Sequence, residues 1–233
     1  MVNRSRQTRS KATSADLLGP ARVPLNRERI LQAALDLADH EGLEALSMRK
    51  LAQTLGVEAM SLYNHVANKD EILAGMVDVV FSEVDLPDAG DWKQAMRQRY
   101  LSTREAFARH PWALGLLHSR IPLGHATLRH HDEVLGRLRA AGFSLEAAAY
   151  ACSVLDSYTY GFALRAQRLA FDSSKPPDEV SATLIRQLTS QAYPNLAEMA
   201  MVIAHAPDHT PAREFAFGLD LILEGLDLRR DKT

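Results

Sequence analysis

The chain holds a single cysteine in 233 residues, Cys152, so no internal disulfide can staple it and the fold must come from a packed core. Cys152 lies in the apolar run AAAYACSVL, the setting of a small buried thiol in a reducing compartment. Aromatic residues make up only 6%, and alternating β-branched runs are missing, which removes the usual marks of sheet and leaves an all-α fold. No apolar span approaches the ~18 residues a membrane helix needs, and Arg4, Arg6, Arg9 and Lys11 are followed by no apolar segment of signal-peptide length. The expected location is the cytoplasm, with no membrane partner. Repeats, low-complexity tracts, a phosphate-cradling glycine loop and a nucleophile elbow are all lacking.

Charge is scarce as a net quantity, −2 overall, but it is unevenly distributed. Residues 1–22 carry five Arg or Lys against one Asp, residues 23–69 five against six, and residues 70–233 seventeen against twenty-two. Only the front end is basic, which steers that end toward phosphate while the acidic remainder is repelled.

Behind the basic end lies the stretch around which the chain is organised, SMRKLAQTLGVEAMSLYNHVANK at residues 47–69. Ser47 can cap a helix running through Leu51 to Leu55, and Gly56 can take the left-handed conformation that ends it. A second helix is expected over 58–66, seated by Leu62 and Val66. Two short helices meeting at a glycine form a helix–turn–helix, although a plain bundle corner has the same spacing. The outward residues favour DNA. Ser47, Met48, Arg49, Ala59, Met60, Ser61, Tyr63, Asn64, His65 and Lys69 are small, hydrogen-bonding or cationic groups of the kind that read base edges or grip phosphates.

Along the chain, residues 1–24 read as a disordered basic arm, either solvated or touching DNA. Residues 25–69 form the helix–turn–helix domain, with Asn26 capping a first helix from Arg27 to Glu41. A connecting helix is expected over 70–84. From 85 to 230 the pattern is one of longer helices: 91–109, 112–118, 124–141, 144–170, 181–193, a short segment from Pro194, and 212–228.

LSMRKLAQTLGVEAMSLYNHVANKDEIL closely resembles the DNA-binding domain of the tetracycline-repressor (TetR) family, including Leu62-Tyr63-x-His65-Val66 and the Asn68-Lys69 pair. GFSLEAAAYACSVLDSYTYGFAL and FAFGLDLILEGL resemble the ligand-binding body of the tetracycline repressor itself. The resemblance implies a regulator of transcription, most simply a repressor, that binds a palindromic operator as a homodimer and lets go when a small molecule occupies its body. It also implies that the last two long helices pair with their copies. The apolar stripe Phe215, Leu219, Ile222 and Leu226, with Gly218 and Gly225 allowing close approach, is the expected interface. Where the family usually has a Gln-Pro pair and a Trp, this chain has Ala59-Met60 and Asn64, so a different operator is expected.

Phe107, Trp112, Leu116, His118, Arg120, Asp156 and Tyr160 are the expected lining of a small-molecule pocket between helices, apolar with a few polar groups. Tetracycline repressors hold a magnesium–drug chelate with a His and a Glu from the partner subunit. Leu117 falls at the first of these positions, with His118 one residue away, and Arg165 falls at the second. A cation there opposes bound Mg²⁺, so an anionic or neutral, partly aromatic ligand is expected instead of tetracycline, and no metal or cofactor is expected.

Nine histidines raise a rival, an all-α metal-dependent hydrolase. His130, His131 and Asp132 are successive on a helix and diverge, while His205, Asp208 and His209 fall in and around a loop; neither set has the spacing of a metal site. Solvated surface histidines are the expectation. A ligand-independent DNA-binding protein is the other rival.

Overall fold

The computed structural model describes residues 24–85, 90–117, 122–172, 192–206 and 210–230, and every regular element among them is helical. The first helix, α1 (Arg27–Glu41), starts where the Asn26 side chain accepts a hydrogen bond from the Arg29 amide at 2.8 Å, and it stops at Gly42. After one 3-10 turn, Ser47 opens α2 (Met48–Leu55) by accepting from the Lys50 amide. Gly56, at φ 67° and ψ 36°, then takes a left-handed conformation that a side chain would strain, and the chain reverses into α3 (Ala59–Leu62).

α3 is shorter than the helix expected over 58–66. From Tyr63 to His65 the chain continues as turns, with the amides of His65 and Val66 both bonded to the Leu62 carbonyl. The helix unwinds because Asn68 must lie extended to cap α4 (Lys69–Ser82), where its side chain accepts from the Glu71 amide at 2.8 Å. Ile30, Ala34, Leu51 and Leu62 are fully buried where α1, α2 and α3 meet. Each such leucine or isoleucine contributes about 1.5–3 kcal/mol relative to exposure.

This core does not end with the head. One buried cluster continues from α1 along α4 to Phe107 in α5 (Trp92–Arg109), to Leu114 and Leu116 in α6 (Ala113–Leu117), and to Ala163 in α8 (Leu145–Asp172). A second cluster joins α5 and α8 to α7 (His125–Ala140) and α10 (Pro211–Arg230) through Met96, Tyr100, Leu138, Leu155, Phe215 and Leu219. Arg97 grips Asp220 with two nitrogens, at 2.6 and 3.3 Å, and Lys93 meets Asp227 at 2.7 Å, which fastens α5 along α10. The remaining helix, α9 (Pro194–His205), begins with proline at its first turn. The helix expected over 181–193 lies, up to residue 191, outside the described residues.

The stripe assigned to a partner helix faces inward in part. Phe215 and Leu219 are fully buried against their own chain; Tyr158 stacks on Phe215 at 5.1 Å and its hydroxyl donates to the Phe215 carbonyl at 2.9 Å. Gly218 serves the same contact, since a Cβ there would overlap the Tyr158 hydroxyl. The outward face of α10 carries Phe217, Leu221 and Leu228 instead, at 67%, 54% and 75% exposure. Two apolar stripes offset by two residues coexist on one helix, and α5 and α8 take the one that can fill their groove. No helix among the described residues is long and apolar enough to cross a membrane.

The link between α4 and α7 is a cap supplied from outside. An Asp78 oxygen on α4 accepts from the Thr127 amide at 2.9 Å and from its hydroxyl at 3.2 Å, in the first turn of α7. Gly124 makes this possible, because a Cβ there would collide with the Asp78 side chain. Asp78→Ala should therefore cost about 1–2 kcal/mol in urea melts and Asp78→Asn distinctly less, whereas equal losses would show that the cap contributes nothing.

Candidate functional site

The reading face is built by α2, α3 and the turn after it. Arg49, Met60, Tyr63, Asn64, His65 and Lys69 are exposed together with Ser47, whose hydroxyl is already engaged as the cap of α2. Met48, Ala59 and Ser61 are half-buried, and the first two also pack on the head core. Among the described residues Arg49 and Lys69 have no carboxylate partner, while neighbouring Lys50 is taken by Glu41 at 3.1 Å. Those two cations keep their donors for an acceptor from outside, as DNA recognition requires.

A clamp holds this face to α4. One Glu71 oxygen accepts from the Ala67 amide at 2.7 Å, and the other meets Arg27 of α1 at 3.4 Å. These contacts, the Ala67 amide foremost, hold the Glu71 carboxyl below its ordinary range. The stability they add is present above the unfolded carboxyl's pKa and is lost as pH falls through the lower folded value.

In the body, a cavity of about 230 Å³ lies between α5, α7 and α8, lined by Tyr100, His130, His131, Val134, Leu135, Ala149, Cys152 and Asp156. His130 is only 2% exposed, which corrects the expectation of a solvated histidine, and its ring stands edge-on to Phe81 of α4 at 4.8 Å. Burial, with Arg99 and His131 adding to it, pushes its pKa down to about 2, so the ring is neutral. His131 is more open; its Nδ1 donates to the Thr127 carbonyl and its Nε2 lies 3.8 Å from Asp156. The Tyr100 hydroxyl donates to Asp156 at 3.1 Å, and burial raises the Asp156 pKa. Cys152 is a half-buried thiol pushed up to about 11, mainly by burial, so it is no ready nucleophile.

Among the described residues of the expected pocket, only Asp156 lines this cavity. Tyr160 and Phe107 pack edge-to-face at 5.5 Å within the core, and Leu116 is buried beside α4. Trp112 points elsewhere, its indole N–H donating to Asp39 of α1 at 2.6 Å. His118 and Arg120 lie outside the described residues. Tyr100, His130, His131 and Cys152 are the residues that the sequence reading missed. A smaller hollow of about 190 Å³, lined by Arg104, Phe107, Pro111 and Phe162 among others, adjoins Trp112's loop.

Two family descriptions match this arrangement: "Bacterial regulatory proteins, tetR family" over residues 30–76 and "Tetracyclin repressor-like, C-terminal domain" over residues 85–230. The chain belongs to the TetR family. It is 34% identical to the HTH-type transcriptional repressor DrrR1 of Streptomyces coeruleorubidus, over 90% of this chain and 81% of that one. Against the tetracycline repressor protein class D of Escherichia coli it is 31% identical, over 88% and 90% of the two chains. The TetR-family protein ActR of Streptomyces coelicolor, solved in complex with actinorhodin, superposes with a TM-score of 0.71 at 31% identity, covering 89% of this chain and 99% of that one. The protein is thus a ligand-responsive, DNA-binding transcriptional regulator and not an enzyme.

As a TetR-family protein it must connect body to head, and a polar latch does so beside α4. His110, nearly buried, presents Nδ1 to both Asp39 oxygens at 2.9 Å and Nε2 to Glu83 at 3.3 Å. Arg109 reaches the same Glu83 at 2.7 Å. The turn between α5 and α6 is thereby tied to α1 and to the end of α4. Among the described residues no three His, Cys, Asp or Glu gather as a metal site, and His205 donates to the Met201 carbonyl. Asp208 and His209 fall outside the described residues. Arg165 is paired with Glu214 and lies 4.9 Å over the Phe162 ring.

The two free cations of the head should separate in their effects. Arg49→Ala is expected to relax base choice and cost about 1–3 kcal/mol if its fork reads a guanine. Lys69→Ala should weaken every sequence alike and lower the salt slope by about one. Binding curves on a set of single-base operator variants at several salt concentrations check this, and matching profiles for the two mutants would contradict the assignment.

Proposed function

We propose that the protein is a homodimeric repressor that holds a palindromic operator with the face from Ser47 to Lys69 and releases it when a small molecule enters the body cavity. The observation that carries this reading is the double role of the cavity wall. His130 borders the cavity and at the same time rests on Phe81, in the helix that leads to the DNA face. A ligand that moves His130 moves α4. Two heads meet successive major grooves only at a separation of ~34–36 Å, so a modest tilt of α4 is enough to spoil the fit. A full reversal of occupancy requires a preference of about 5.5 kcal/mol for the tilted state.

Unpartnered apolar surface supports the second copy. Tyr150 and Val154 of α8 and Leu221 and Leu228 of α10 are exposed around a groove of about 950 Å³ that also reaches Ile222, Gly225 and Leu226. Patches of this kind on a soluble helical body mark an association surface, and a two-fold operator asks for a two-fold protein. Helix α9 exposes Leu196, Met199 and Val202 as well, further surface that a second copy would cover. Within this reading Phe215, Gly218 and Leu219 support the interface from beneath.

The effector is expected to differ from magnesium-bound tetracycline. Leu117 offers a metal no electron pair, and Arg165 brings a guanidinium already engaged by Glu214. ActR, a TetR-family protein of similar shape, was solved in complex with actinorhodin, so a ligand other than tetracycline has a precedent in this fold.

The reading is tested on the whole chain with an operator selected from random duplexes. Two chains should bind each duplex. A library screened by thermal shift should yield compounds that also release the operator, since a ligand at ~100 times its Kd adds about 2.7 kcal/mol. Stabilising compounds that never release DNA would leave a regulator without this switch. Gly225→Glu and Leu221→Glu break no packing within the monomer, so each should keep its helix content while sedimenting as a monomer. The buried unpaired carboxylates are expected to cost about 3–5 kcal/mol per interface. A variant pair that still sediments as dimers would move the interface elsewhere.

A further inference from the structure

Asp156 of α8 is satisfied on one side only. Its Oδ1 accepts from the Tyr100 hydroxyl at 3.1 Å, whereas Oδ2 has no hydrogen-bond donor among the described residues. His131 Nε2 stands 3.8 Å from Oδ2, beyond hydrogen-bond length. The neutral ring of His131 cannot close that gap. Its Nδ1 lies 2.8 Å from the Thr127 carbonyl, which has no proton to give, so Nδ1 holds the ring proton and Nε2 is left as a lone pair. Two acceptors then stand side by side with nothing to donate between them. Tyr100, His131 and Asp156 all line the cavity between α5, α7 and α8, whose other walls include Val134, Leu135 and Ala149.

The charge balance of this wall narrows what can supply the missing donor. Burial raises the Asp156 pKa, while His131, the Tyr100 hydroxyl and Arg99 act against it. Arg99, fully buried in α5, thus answers part of the carboxylate's charge through the protein. An anion entering the cavity would meet Asp156 at its wall, and a cation would add to the field of Arg99. An uncharged donor meets neither objection. The apolar remainder of the wall calls for an apolar body on that donor, and about 230 Å³ accommodates two fused aromatic rings.

We propose that the effector is an uncharged hydroxyaromatic compound whose hydroxyl enters between Asp156 and His131 and donates to Asp156 Oδ2, with its rings against Val134, Leu135 and Ala149. This rests on reading the cavity between α5, α7 and α8 as the effector site. A hydroxyl accepts as well as donates, so it also suits the protonated ring of His131, whose Nε2 would then donate to the ligand oxygen. The contact has a route to the head. The His131 ring lies 6.0 Å from Phe81 of α4 and 5.4 Å from the ring of His130, which lines the same cavity with neither nitrogen partnered. An oxygen bound to both α7 and α8 draws His131 toward Asp156, and so moves a neighbour of Phe81.

The test uses the full chain and three probes of one size: 1-naphthol, 1-methoxynaphthalene, whose oxygen can only accept, and 1-naphthoate, which is an anion. Titration at neutral pH should rank 1-naphthol first, about tenfold tighter than either of the others. Asp156→Asn keeps an oxygen for the Tyr100 hydroxyl and replaces the open acceptor with an amide donor. It should abolish the preference for 1-naphthol over its methyl ether while the ether binds as before. His131→Phe keeps a ring beside Phe81 and should reduce that preference without abolishing it, since the carboxylate remains. An ether or an acid that binds the parent as tightly as 1-naphthol would overturn the uncharged-donor class while leaving the cavity as the effector site. If no probe binds the parent, the cavity reading fails along with the proposal. An Asp156→Asn protein with the full preference would place the hydroxyl elsewhere and overturn the assignment. Should that variant not fold, the ranking on the parent and on His131→Phe decides, and a preference unchanged by His131→Phe counts against the proposal.

Discussion

The burial of α4 on several sides is the constraint on which the rest depends. Gly75 lies so close to Leu31 of α1 that a Cβ would overlap it, Asp78 caps α7, and Phe81 meets Phe107 of α5 and His130 of α7. A helix held by α1 at one end and by α5, α6 and α7 along the rest has no solvent face wide enough to slide on. Interiors packed at crystal-like density do not absorb a displacement; they pass it on or repack. Because the buried cluster runs unbroken from Ile30 to Ala163, the head has no core of its own to insulate it from the body.

The latch at Asp39 adds a second point of attachment. His110 and Trp112 hold α1 from the turn between α5 and α6, and the Pro111 carbonyl between them accepts from Gln167 of α8 at 2.7 Å. A hydrogen bond so little exposed, with His110's side chain at 7%, is shielded from competing water far better than those on the surface. One attachment permits a swing in any direction; two restrict the head to rotation about the line that joins them. Under the proposed switch, Asp39 and Phe81 together limit the direction in which the head can turn.

Local features of this fold were legible in the sequence because their causes are local. The caps by Asn26 and Ser47 and the reversal at Gly56 need only a few neighbouring residues, and each stands where the letters put it. What the letters do not carry is which of two apolar stripes finds a groove. On α10 the series Phe215, Leu219, Leu223 and the series Phe217, Leu221, Leu228 are both helical in spacing, and only the positions of α5 and α8 decide that the first is core. The α3 boundary was missed for a related reason, since Asn68's demand for extended backbone acts from the next helix. His130 is different. Thr127, His130, Val134 and Leu138, spaced three, four and four, form one inward stripe, so the burial of this histidine could have been read from its neighbours. Its position within an His-His-Asp run directed attention to the charges instead of the period.

The distribution of polar burial argues where the free energy for a switch resides. The head buries almost only hydrocarbon, Ile30, Leu51, Leu62 and Val66 among it, whereas Arg99, Thr103, Thr127, His130 and Thr159 are all buried in the body. The three threonines satisfy themselves: Thr103 and Thr159 bond carbonyls one turn back, and Thr127 bonds Asp78. Arg99 and His130 do not. A ligand shifts an equilibrium only by the difference in its affinity for the two states, and a group whose hydrogen bonds are complete in both states contributes nothing to that difference. Groups left incomplete can contribute, provided that completing them requires a particular arrangement of α5 against α7. That arrangement fixes where the His130 ring stands, and the ring fixes Phe81. The unsatisfied groups are thus a cost to the resting fold, and under the proposed switch the His130 ring at the cavity wall is where a ligand would relieve part of it.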